Sequence, residues 1–308
     1  MEKKILIICG PTATGKTKLG IHLAKKFNGE IISTDSRQVF KYMDIGTGKE
    51  WGDVQIWGYD LVDPKKNYSV SEFLKFAEEK LKDIWLRKKL PILVGGTGLY
   101  IKAIVDGIDT INIPRSDDLR SGLEEKSIEE LYDRLAILDS SKAASLNLSD
   151  KKNPRRLARA IEVAIWKIEN ESKAIKKKKL KNINALFIGL ECSKKIYEKR
   201  IGQRVEKRIE EGFIDEVEDL LKMGISWRMQ SMNTLGYKEA EGFFKSGLTY
   251  EEFISIWQKD ELKYVKRQLT WFRKDERINW FDVTDFKFYK KVEKMVTKWD
   301  NSYYGKKS

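Results

Sequence analysis

The chain is poor in the residues that most often carry metal-dependent or nucleophilic chemistry. Its 308 residues include one histidine and two cysteines, and neither cysteine has a partner at metal-binding spacing. His22 falls among apolar residues of the first predicted helix, where packing or a surface role is expected. Cys9 and Cys192 each follow an apolar run and are expected to be small buried residues of a reducing compartment. A zinc site and an imidazole base are therefore excluded as the basis of the chemistry.

Long apolar segments are also absent. No run approaches the ~20 residues that a membrane span needs. The short N-terminal run KILIICG leads into a glycine-rich loop, which is not the pattern of a signal peptide. We expect a soluble, cytoplasmic protein without a membrane partner, large enough for one large or two ordinary domains.

The charge balance is strongly basic. Lys and Arg number 60 against 47 Asp and Glu, a formal net charge of +13. This balance favours a polyanionic partner, because each neutralised phosphate releases counterions. The run KAIKKKKLKN (173–182) is more typical of a solvated connector than of a nucleic-acid reader.

The stretch GPTATGKT matches the phosphate-loop motif G-x-x-x-x-G-K-[ST]. Gly10 and Gly15 have the required spacing, and Lys16 and Thr17 follow directly. Glycines let backbone N–H groups turn toward a phosphate, the next helix offers its positive dipole end, and Thr17 can ligate Mg²⁺. The motif predicts a site for a polyphosphate and Mg²⁺ without specifying ATP.

The order of patterns predicts an α/β fold. Apolar runs alternate with helical patterns, as in a P-loop NTPase-like parallel sheet; the expected strands are KILIICG, EIISTD, VQIWGYDL, PILVGG, ALFIGLE and INWFD. Capping boxes at Ser69–Glu72 and Ser127–Glu130 predict two helix starts. We expect a first core part at 1–112, a helical insertion at 113–170, and core completion with C-terminal helices at 171–308.

Polar residues follow the second strand. Asp35, Ser36, Arg37 and Gln38 leave the sheet at the edge where the phosphate loop begins, the usual ligand crevice of a parallel sheet. Asp35 could accept a proton there, or Asp35 or Ser36 could cap a following helix. The fourth strand ends in glycines and Thr97 rather than in an acidic residue, which argues against a motor or GTPase but leaves small kinases open.

Two later segments are rich in arginine. Arg200, Arg204 and Arg208 lie along one helical face, either as a salt-bridged surface or as a lid over phosphates. The segment KYVKRQLTWFRKDER interleaves basic and aromatic residues, as nucleic-acid surfaces do. The alternative for Trp271 and Phe272 is a place in the core.

Taken together, these blocks identify a family resemblance. GPTATGKT, GEIISTDSRQVF, MDIGTGK, YSVSEF, PILVGGTGLYI, RRLARAIEV, RIGQRVEKRIEEGFIDEV, LGYKE and KRQLTWFR occur in order from about residue 4 to residue 282. They resemble the tRNA dimethylallyltransferases (IPP transferases). The resemblance implies transfer of a dimethylallyl group from dimethylallyl diphosphate to N6 of adenine 37, beside the anticodon of tRNAs that read codons starting with U.

The resemblance also assigns roles to residues. The catalytic set is Asp35 as general base, with Thr97, Lys16, Arg200 and Arg204. The diphosphate site is Gly10, Pro11, Thr12, Ala13, Thr14, Gly15, Lys16 and Thr17, with Mg²⁺ on Thr17. The tRNA contacts are Asp35, Ser36, Arg37, Gln38, Thr97, Arg120, Arg155, Arg156, Leu157, Ala158 and Arg159. The expected partners are the tRNA anticodon stem-loop and dimethylallyl diphosphate, and the chain is expected to be a monomer.

Some positions depart from the family pattern. Gly58, Tyr59 and Asp60 stand where a His-His pair is usual, which removes side chains near the nucleotide mouth. Glu261 and Leu262 replace a usual Thr-Arg, and Arg208 replaces an apolar residue, often Met.

Three other functions remain open at this point. An adenylate isopentenyltransferase shares the loop and Asp35 but prenylates free nucleotide. A P-loop small-molecule kinase would transfer a γ-phosphate, and an RNA-binding NTPase switch would hydrolyse ATP or GTP when RNA is present. The basic insertion and the long KRQLTWFR helix favour a macromolecular acceptor.

Overall fold

The computed structural model describes residues 3–170, 180 and 182–301. Its centre is a six-stranded sheet in which every ladder is parallel. The strands are β1 (Lys3–Cys9), β2 (Gly29–Ser33), β3 (Ile56–Trp57), β4 (Leu90–Gly95), β5 (Ile183–Glu191) and β6 (Ile278–Asp282). Their order across the sheet is β3-β2-β4-β1-β5-β6. The predicted α/β class with a parallel P-loop-like sheet is confirmed.

The described residues contain thirteen α-helices. They are α1 (Lys16–Lys26), α2 (Val70–Leu86), α3 (Gly98–Val105), α4 (Asp117–Glu124), α5 (Ile128–Leu138), α6 (Ser140–Ser145), α7 (Leu148–Lys151), α8 (Pro154–Glu169), α9 (Lys194–Glu210), α10 (Phe213–Lys222), α11 (Tyr237–Lys245), α12 (Tyr250–Phe272) and α13 (Phe288–Asn301). A short 3₁₀ turn covers Ser231–Asn233. None of the helices in this described part is long and apolar enough to cross a membrane.

The chain forms two compact units. One comprises Met1–Asp106 with Leu180–Ser308 and contains the sheet; the other comprises Gly107–Lys179 and is helical. In the second unit, Leu123, Leu131, Leu135, Leu157 and Ile161 form a small apolar core. The KAIKKKKLKN connector lies almost entirely outside the described residues.

The central strand β1 explains the position of the phosphate loop. Its apolar residues are buried on both faces, as expected of a strand covered on both sides by helices. Register pairs Leu6 with Ile92 of β4 and with Leu186 of β5. The carboxyl ends of β4, β1 and β5 therefore meet at one edge, where α1 begins.

Both predicted capping boxes are present. The Ser69 hydroxyl accepts from the Glu72 N–H at 3.2 Å, and the Glu72 carboxylate accepts from the Ser69 N–H at 2.8 Å. Ser127 and Glu130 make the same reciprocal pair. Each satisfies two backbone groups that a helix start would otherwise leave without partners.

Two sequence expectations were wrong in detail. VQIWGYDL forms only the two-residue strand β3, because Gly58 (φ +102°) and Asp60 (φ +55°) turn the chain directly after Trp57. Cys192 is half-buried, whereas Cys9 is buried as predicted, and burial raises the pKa of the Cys9 thiol to about 12.

His22 lies on the surface of α1. Its Nε2 pairs with the Glu293 carboxylate of α13, so the predicted surface role is confirmed.

Candidate active site

The phosphate loop joins the end of β1 to the start of α1. Gly10 adopts φ +127°, and a Cβ there would lie 2.4 Å from the Leu190 carbonyl oxygen, so only glycine fits beside β5. Gly15 caps α1 in the left-handed conformation with φ +82°. The loop thus presents backbone N–H groups and the positive end of α1 to the same space.

Lys16 lies at the first position of α1 and turns back over the loop, where its Nζ donates to the Pro11 carbonyl at 2.5 Å. Desolvation lowers the pKa of Lys16 to about 8, and the positive charge of Arg204 acts in the same direction. An incoming anion would reverse this effect, because it would favour the charged ammonium.

The low pKa of Lys16 predicts a pH-dependent affinity for pyrophosphate. Above about pH 8 the free amine is neutral and loses its Coulomb attraction to the anion, so binding requires uptake of a proton. We expect the dissociation constant to rise up to about tenfold per pH unit above this point. Calorimetric titration of the wild type against Lys16→Arg, which stays charged, isolates this proton; parallel pH profiles for the two proteins would contradict the assignment.

Two arginines of α9 reach the loop. The Arg204 guanidinium donates to the Thr12 hydroxyl, and Arg200 Nη1 donates to the Ala13 carbonyl at 3.3 Å. The arginine-rich face of α9 therefore covers the phosphate loop rather than forming only a solvated surface.

The third arginine has a different partner. Arg208 Nη1 lies 3.3 Å from Glu261 Oε1 of α12, and both side chains are buried. These are two of the positions at which the sequence departs from its family pattern, and the structure places them in contact.

Gln268 of α12 also supports the loop, a role that sequence reasoning missed. Its Oε1 accepts from the Thr12 N–H at 2.9 Å, and its Nε2 donates to the Gly96 carbonyl at 3.0 Å. One amide thus joins the phosphate loop to the end of β4. The available signal was position: Gln268 falls on the same buried face of α12 as Trp257, Val265 and Phe272.

Asp35 follows the end of β2 and lines the same cavity as the phosphate loop. Its Oδ1 accepts from the Arg37 N–H at 2.9 Å, which forms a local turn. No helix begins in the described residues 34–55, so the helix-capping alternative for Asp35 and Ser36 is wrong. The turn leaves the second carboxylate oxygen available to a ligand in the crevice.

Thr97 and Ser36 close the same edge. Thr97 Oγ1 accepts from the Ser36 N–H at 3.0 Å and donates to the Ser36 hydroxyl at 3.3 Å. Gln38 is buried: its Oε1 accepts from the Ser33 hydroxyl at 2.7 Å, and its Nε2 donates to the Gly48 carbonyl at 3.1 Å. Gln38 therefore braces the loop wall with the polar atoms of its amide.

These groups line one cavity of about 990 Å³. Asp35 and Thr97 line it together with Lys16, Arg200 and Arg204. Tyr264 of α12 also lines it, and burial raises the pKa of its phenol to about 12. The cavity therefore combines an anion site with a carboxylate.

The other carboxylates at the strand ends are engaged elsewhere. Asp60 and Asp44 each lie 2.6 Å from Lys49 Nζ, whose side chain is fully buried. Asp63 accepts from the Lys65 N–H in a turn. Tyr59 is buried, which raises the pKa of its phenol.

Thr17 of the phosphate loop is the residue available to a metal ion in the cavity. Thr17 lines the cavity, and in the described part of the chain its hydroxyl has no hydrogen bond, so an oxygen is available to Mg²⁺. The same part contains no group of three or more His, Cys, Asp or Glu side chains able to hold a metal. The Thr17 hydroxyl could therefore supply one oxygen ligand to Mg²⁺.

The helical unit carries the remaining predicted residues. Arg120 makes a two-point contact to Glu162, with both distances 2.8 Å, and Arg159 Nη1 also lies 2.8 Å from that carboxylate. Burial raises the pKa of Glu162, but the hydrogen bonds from Arg120 and Arg159 outweigh it and hold the pKa at about 2. Both arginines thus stabilise this unit and keep only part of their donors for a ligand.

The other four predicted tRNA contacts in this unit lie at the start of α8. Arg155 and Arg156 are exposed, and Arg156 pairs with Asp150. Leu157 is 0% exposed and packs in the core of the unit, while Ala158 is half-buried. The structure therefore offers Arg155 and Arg156 to a ligand and uses Leu157 for packing.

The alternative that Trp271 and Phe272 lie in the core was wrong for Trp271 and right for Phe272. Phe272 is 3% exposed, but Trp271 is 44% exposed because it lies on the outer face of α12, against the start of α3. A Cβ at Gly98 would lie 1.9 Å from Trp271 Nε1. The indole thus covers Gly98, the neighbour of Thr97.

Comparisons with known proteins agree on one family. Residues 38–275 match the model of the IPP transferase family, and residues 3–53 match that of isopentenyl transferase. The chain is 40% identical over 311 residues to the tRNA dimethylallyltransferase of Carboxydothermus hydrogenoformans, covering 96% of this chain and 97% of the relative. The tRNA dimethylallyltransferase of Anoxybacillus flavithermus is 39% identical, with 92% of each chain covered.

Solved structures agree with the sequence relatives. The full-length tRNA isopentenylpyrophosphate transferase from Bacillus halodurans superposes with a TM-score of 0.72 at 35% identity, covering 97% of both chains. A eukaryotic dimethylallyltransferase acting on tRNA gives a TM-score of 0.77 at 26% identity, over 92% of this chain and 75% of the other. The resemblance found in the motifs is confirmed, and the chain belongs to the IPP transferase family of transferase enzymes.

Proposed function

We propose that this protein transfers a dimethylallyl group from dimethylallyl diphosphate to N6 of adenine 37, beside the anticodon of tRNAs that read codons starting with U. The observation that carries the proposal is the shared cavity, which is lined by both the phosphate loop and Asp35. The relatives are tRNA dimethylallyltransferases, which indicates a dimethylallyl donor and a tRNA acceptor as the substrate classes. The reaction breaks the C1–oxygen bond of the donor, forms a C1–N6 bond, and releases diphosphate and the N6 proton.

The donor half uses the loop Gly10–Thr17. Negative charge grows on the diphosphate as the C1–oxygen bond breaks, and fixed cations lower the energy of that state. Lys16, Arg200 and Arg204 lie where they can contact the departing group. Mg²⁺ held by Thr17 would, when bound, neutralise further charge on the same oxygens.

The acceptor half uses the end of β2. The lone pair of adenine N6 is delocalised into the ring, so N6 becomes a competent nucleophile as it loses a proton. Asp35 is the group placed to accept that proton. Thr97, Ser36, Arg37 and Gln38 form the wall that would hold the flipped base, and extrusion of a loop nucleotide costs about a few kcal/mol.

The helical unit is proposed to hold the anticodon stem through Arg155 and Arg156, with Arg120, Leu157, Ala158 and Arg159 shaping that surface. Phosphate contacts of this kind position an RNA without reading its sequence. The cavity would then select the base.

Replacing both Arg155 and Arg156 with alanine is expected to weaken tRNA binding and to reduce the slope of log K against log salt by about 1 to 2. The reason is that each lost phosphate contact no longer releases a counterion. Filter binding over a salt series measures the slope. Lys142→Ala, on the nearby helix α6, serves as a control, and an equal change in that variant would assign the effect to total charge.

We further propose that the enzyme acts as a monomer in the cytoplasm. Light scattering in the presence and absence of tRNA tests the oligomeric state.

Transfer of labelled dimethylallyl from its diphosphate, with Mg²⁺, tests the function directly. Parallel samples contain AMP, ATP, an anticodon stem-loop with adenine at position 37, and the same stem-loop with guanine there. Label in the adenine stem-loop alone is expected. Label in AMP or ATP would instead identify an adenylate isopentenyltransferase, the second candidate, which the isopentenyl transferase match over residues 3–53 favours.

A further inference from the structure

The wall of the cavity contains an ion pair that the proposed chemistry has not used. Arg208 of α9 and Glu261 of α12 lie 3.3 Å apart, with side chains 5% and 6% exposed. Both residues line the cavity that contains the phosphate loop. An apolar pair of similar volume would usually serve a helix–helix contact as well or better, so packing stability alone does not account for two buried charges.

Arg208 lies beside the cations of the phosphate site. A Cβ at Gly48 would lie 2.8 Å from Arg208 Nη2 and 2.9 Å from Arg204 Nη2, so the two guanidinium groups converge over this glycine. Arg204 itself contacts Thr12 of the phosphate loop. Burial and the neighbouring charge of Arg204 lower the pKa of Arg208 to about 10. A second positive charge is therefore held next to one that touches the loop.

Glu261 places a negative charge beside the cations of the phosphate site. Its negative charge stabilises Arg208 and also favours the charged forms of the surrounding cations, Lys16 among them. A diphosphate in the cavity carries several negative charges, so Glu261 attracts the same groups that the diphosphate needs and repels the diphosphate itself. The Glu261 carboxylate therefore opposes anion binding, and it balances part of the positive charge of the neighbouring cations when no anion is bound.

We propose that Arg208 is a further residue that positions the diphosphate and that Glu261 competes with the diphosphate for Arg208. When diphosphate occupies the cavity, Arg208 gives up part of its contact with Glu261 and contacts the anion instead. The proposal rests on the proposed function, since it takes the phosphate loop to be a diphosphate site. The proposal gives Glu261 a role in turnover. Its carboxylate pairs with Arg208 again as the diphosphate product leaves, and this accelerates product release.

Titration of the full chain with inorganic pyrophosphate, with and without Mg²⁺, tests the exchange. Glu261→Gln keeps the hydrogen-bonding shape and removes the charge, so it is expected to bind pyrophosphate about tenfold more tightly. Arg208→Met is expected to bind it about tenfold more weakly, and the double variant should lie near the wild type. Glu251→Gln, an exposed carboxylate at the start of the same helix, is expected to leave the affinity unchanged.

A merely structural ion pair gives a different result. In that case both single variants lower the melting temperature and leave the pyrophosphate affinity unchanged, which overturns the proposal. Weaker binding by Glu261→Gln also overturns it. If Arg208→Met does not fold, the sign of the Glu261→Gln effect decides alone, because that variant retains a partner for Arg208.

The proposed function fails separately. Wild-type protein that binds pyrophosphate but labels no stem-loop disproves the prenyl transfer and leaves the exchange to be judged by the two affinities. Wild-type protein that does not bind pyrophosphate overturns both. Stopped-flow release of diphosphate gives a third readout: it should be slower in Glu261→Gln by about the same factor as the gain in affinity.

Discussion

Replacing Asp35 with asparagine is expected to lower kcat about 1000-fold while tRNA and dimethylallyl diphosphate still bind. Asparagine keeps the Oδ1 acceptor that bonds the Arg37 N–H at 2.9 Å, so the turn after β2 is preserved. What is lost is the ability to take a proton from N6. Single-turnover transfer of labelled dimethylallyl, measured at saturating tRNA, reports the chemical step directly.

A matched control separates the base from a general loss of negative charge. Asp53→Asn removes an exposed carboxylate that pairs with Lys25 at the surface, and this variant is expected to transfer at the wild-type rate. A rate for Asp35→Asn within about tenfold of the wild type would remove Asp35 as general base, because positioned proton transfer contributes at least about 100-fold. Thr97 would then be the next group to test at this edge of the sheet.

Local patterns were sufficient to predict much of the fold. The β1 run and the glycine loop predict strand, turn and helix in a fixed order, and the structure has β1 ending at Cys9 and α1 beginning at Lys16. The capping box at Ser69 predicts the start of α2 for the same reason: it depends on residues within one turn. β3 is shorter than predicted because the chain turns at Gly58 and Asp60, both of which have a positive φ, and the apolar run did not reveal this turn.

The contacts within the site could not be predicted from such local patterns. The arginine spacing on α9 shows that Arg204 and Arg208 share a face, but not that one meets Thr12 and the other Glu261. Arg208 and Glu261 are 53 residues apart in the chain, and Gln268 and Thr12 are 256 apart. Contacts over these separations depend on how whole helices pack, which no short window of sequence contains.

The position of Gln268 links the two helices to the loop. Because its amide holds both the Thr12 N–H and the Gly96 carbonyl, α12 ties the loop to the end of β4. Arg204 bonds the same Thr12 through its hydroxyl. The phosphate loop is therefore shaped by residues from both late helices, and its geometry depends on segments far from the glycine motif that identifies it.

The second large effect is expected from Arg204. Replacing it with glutamine removes a positive charge beside Lys16 and Thr12 while keeping a polar side chain at this position. Because charge on the diphosphate grows only as the C1–oxygen bond breaks, the loss falls mainly on kcat, about 100- to 1000-fold, and less on KM for the donor. Steady-state transfer to the stem-loop over a range of donor concentrations separates the two constants.

Lys199→Gln provides the comparison for Arg204→Gln. It removes one positive charge from the exposed side of α9, outside the cavity lining, and is expected to keep both constants near those of the wild type. If Arg204→Gln raised KM with kcat unchanged, Arg204 would bind ground state and transition state equally, and stabilisation of the leaving group would have to come from Lys16 and Arg200. An equal loss in both variants would instead show that the whole basic field, rather than the guanidinium over Thr12, drives the reaction.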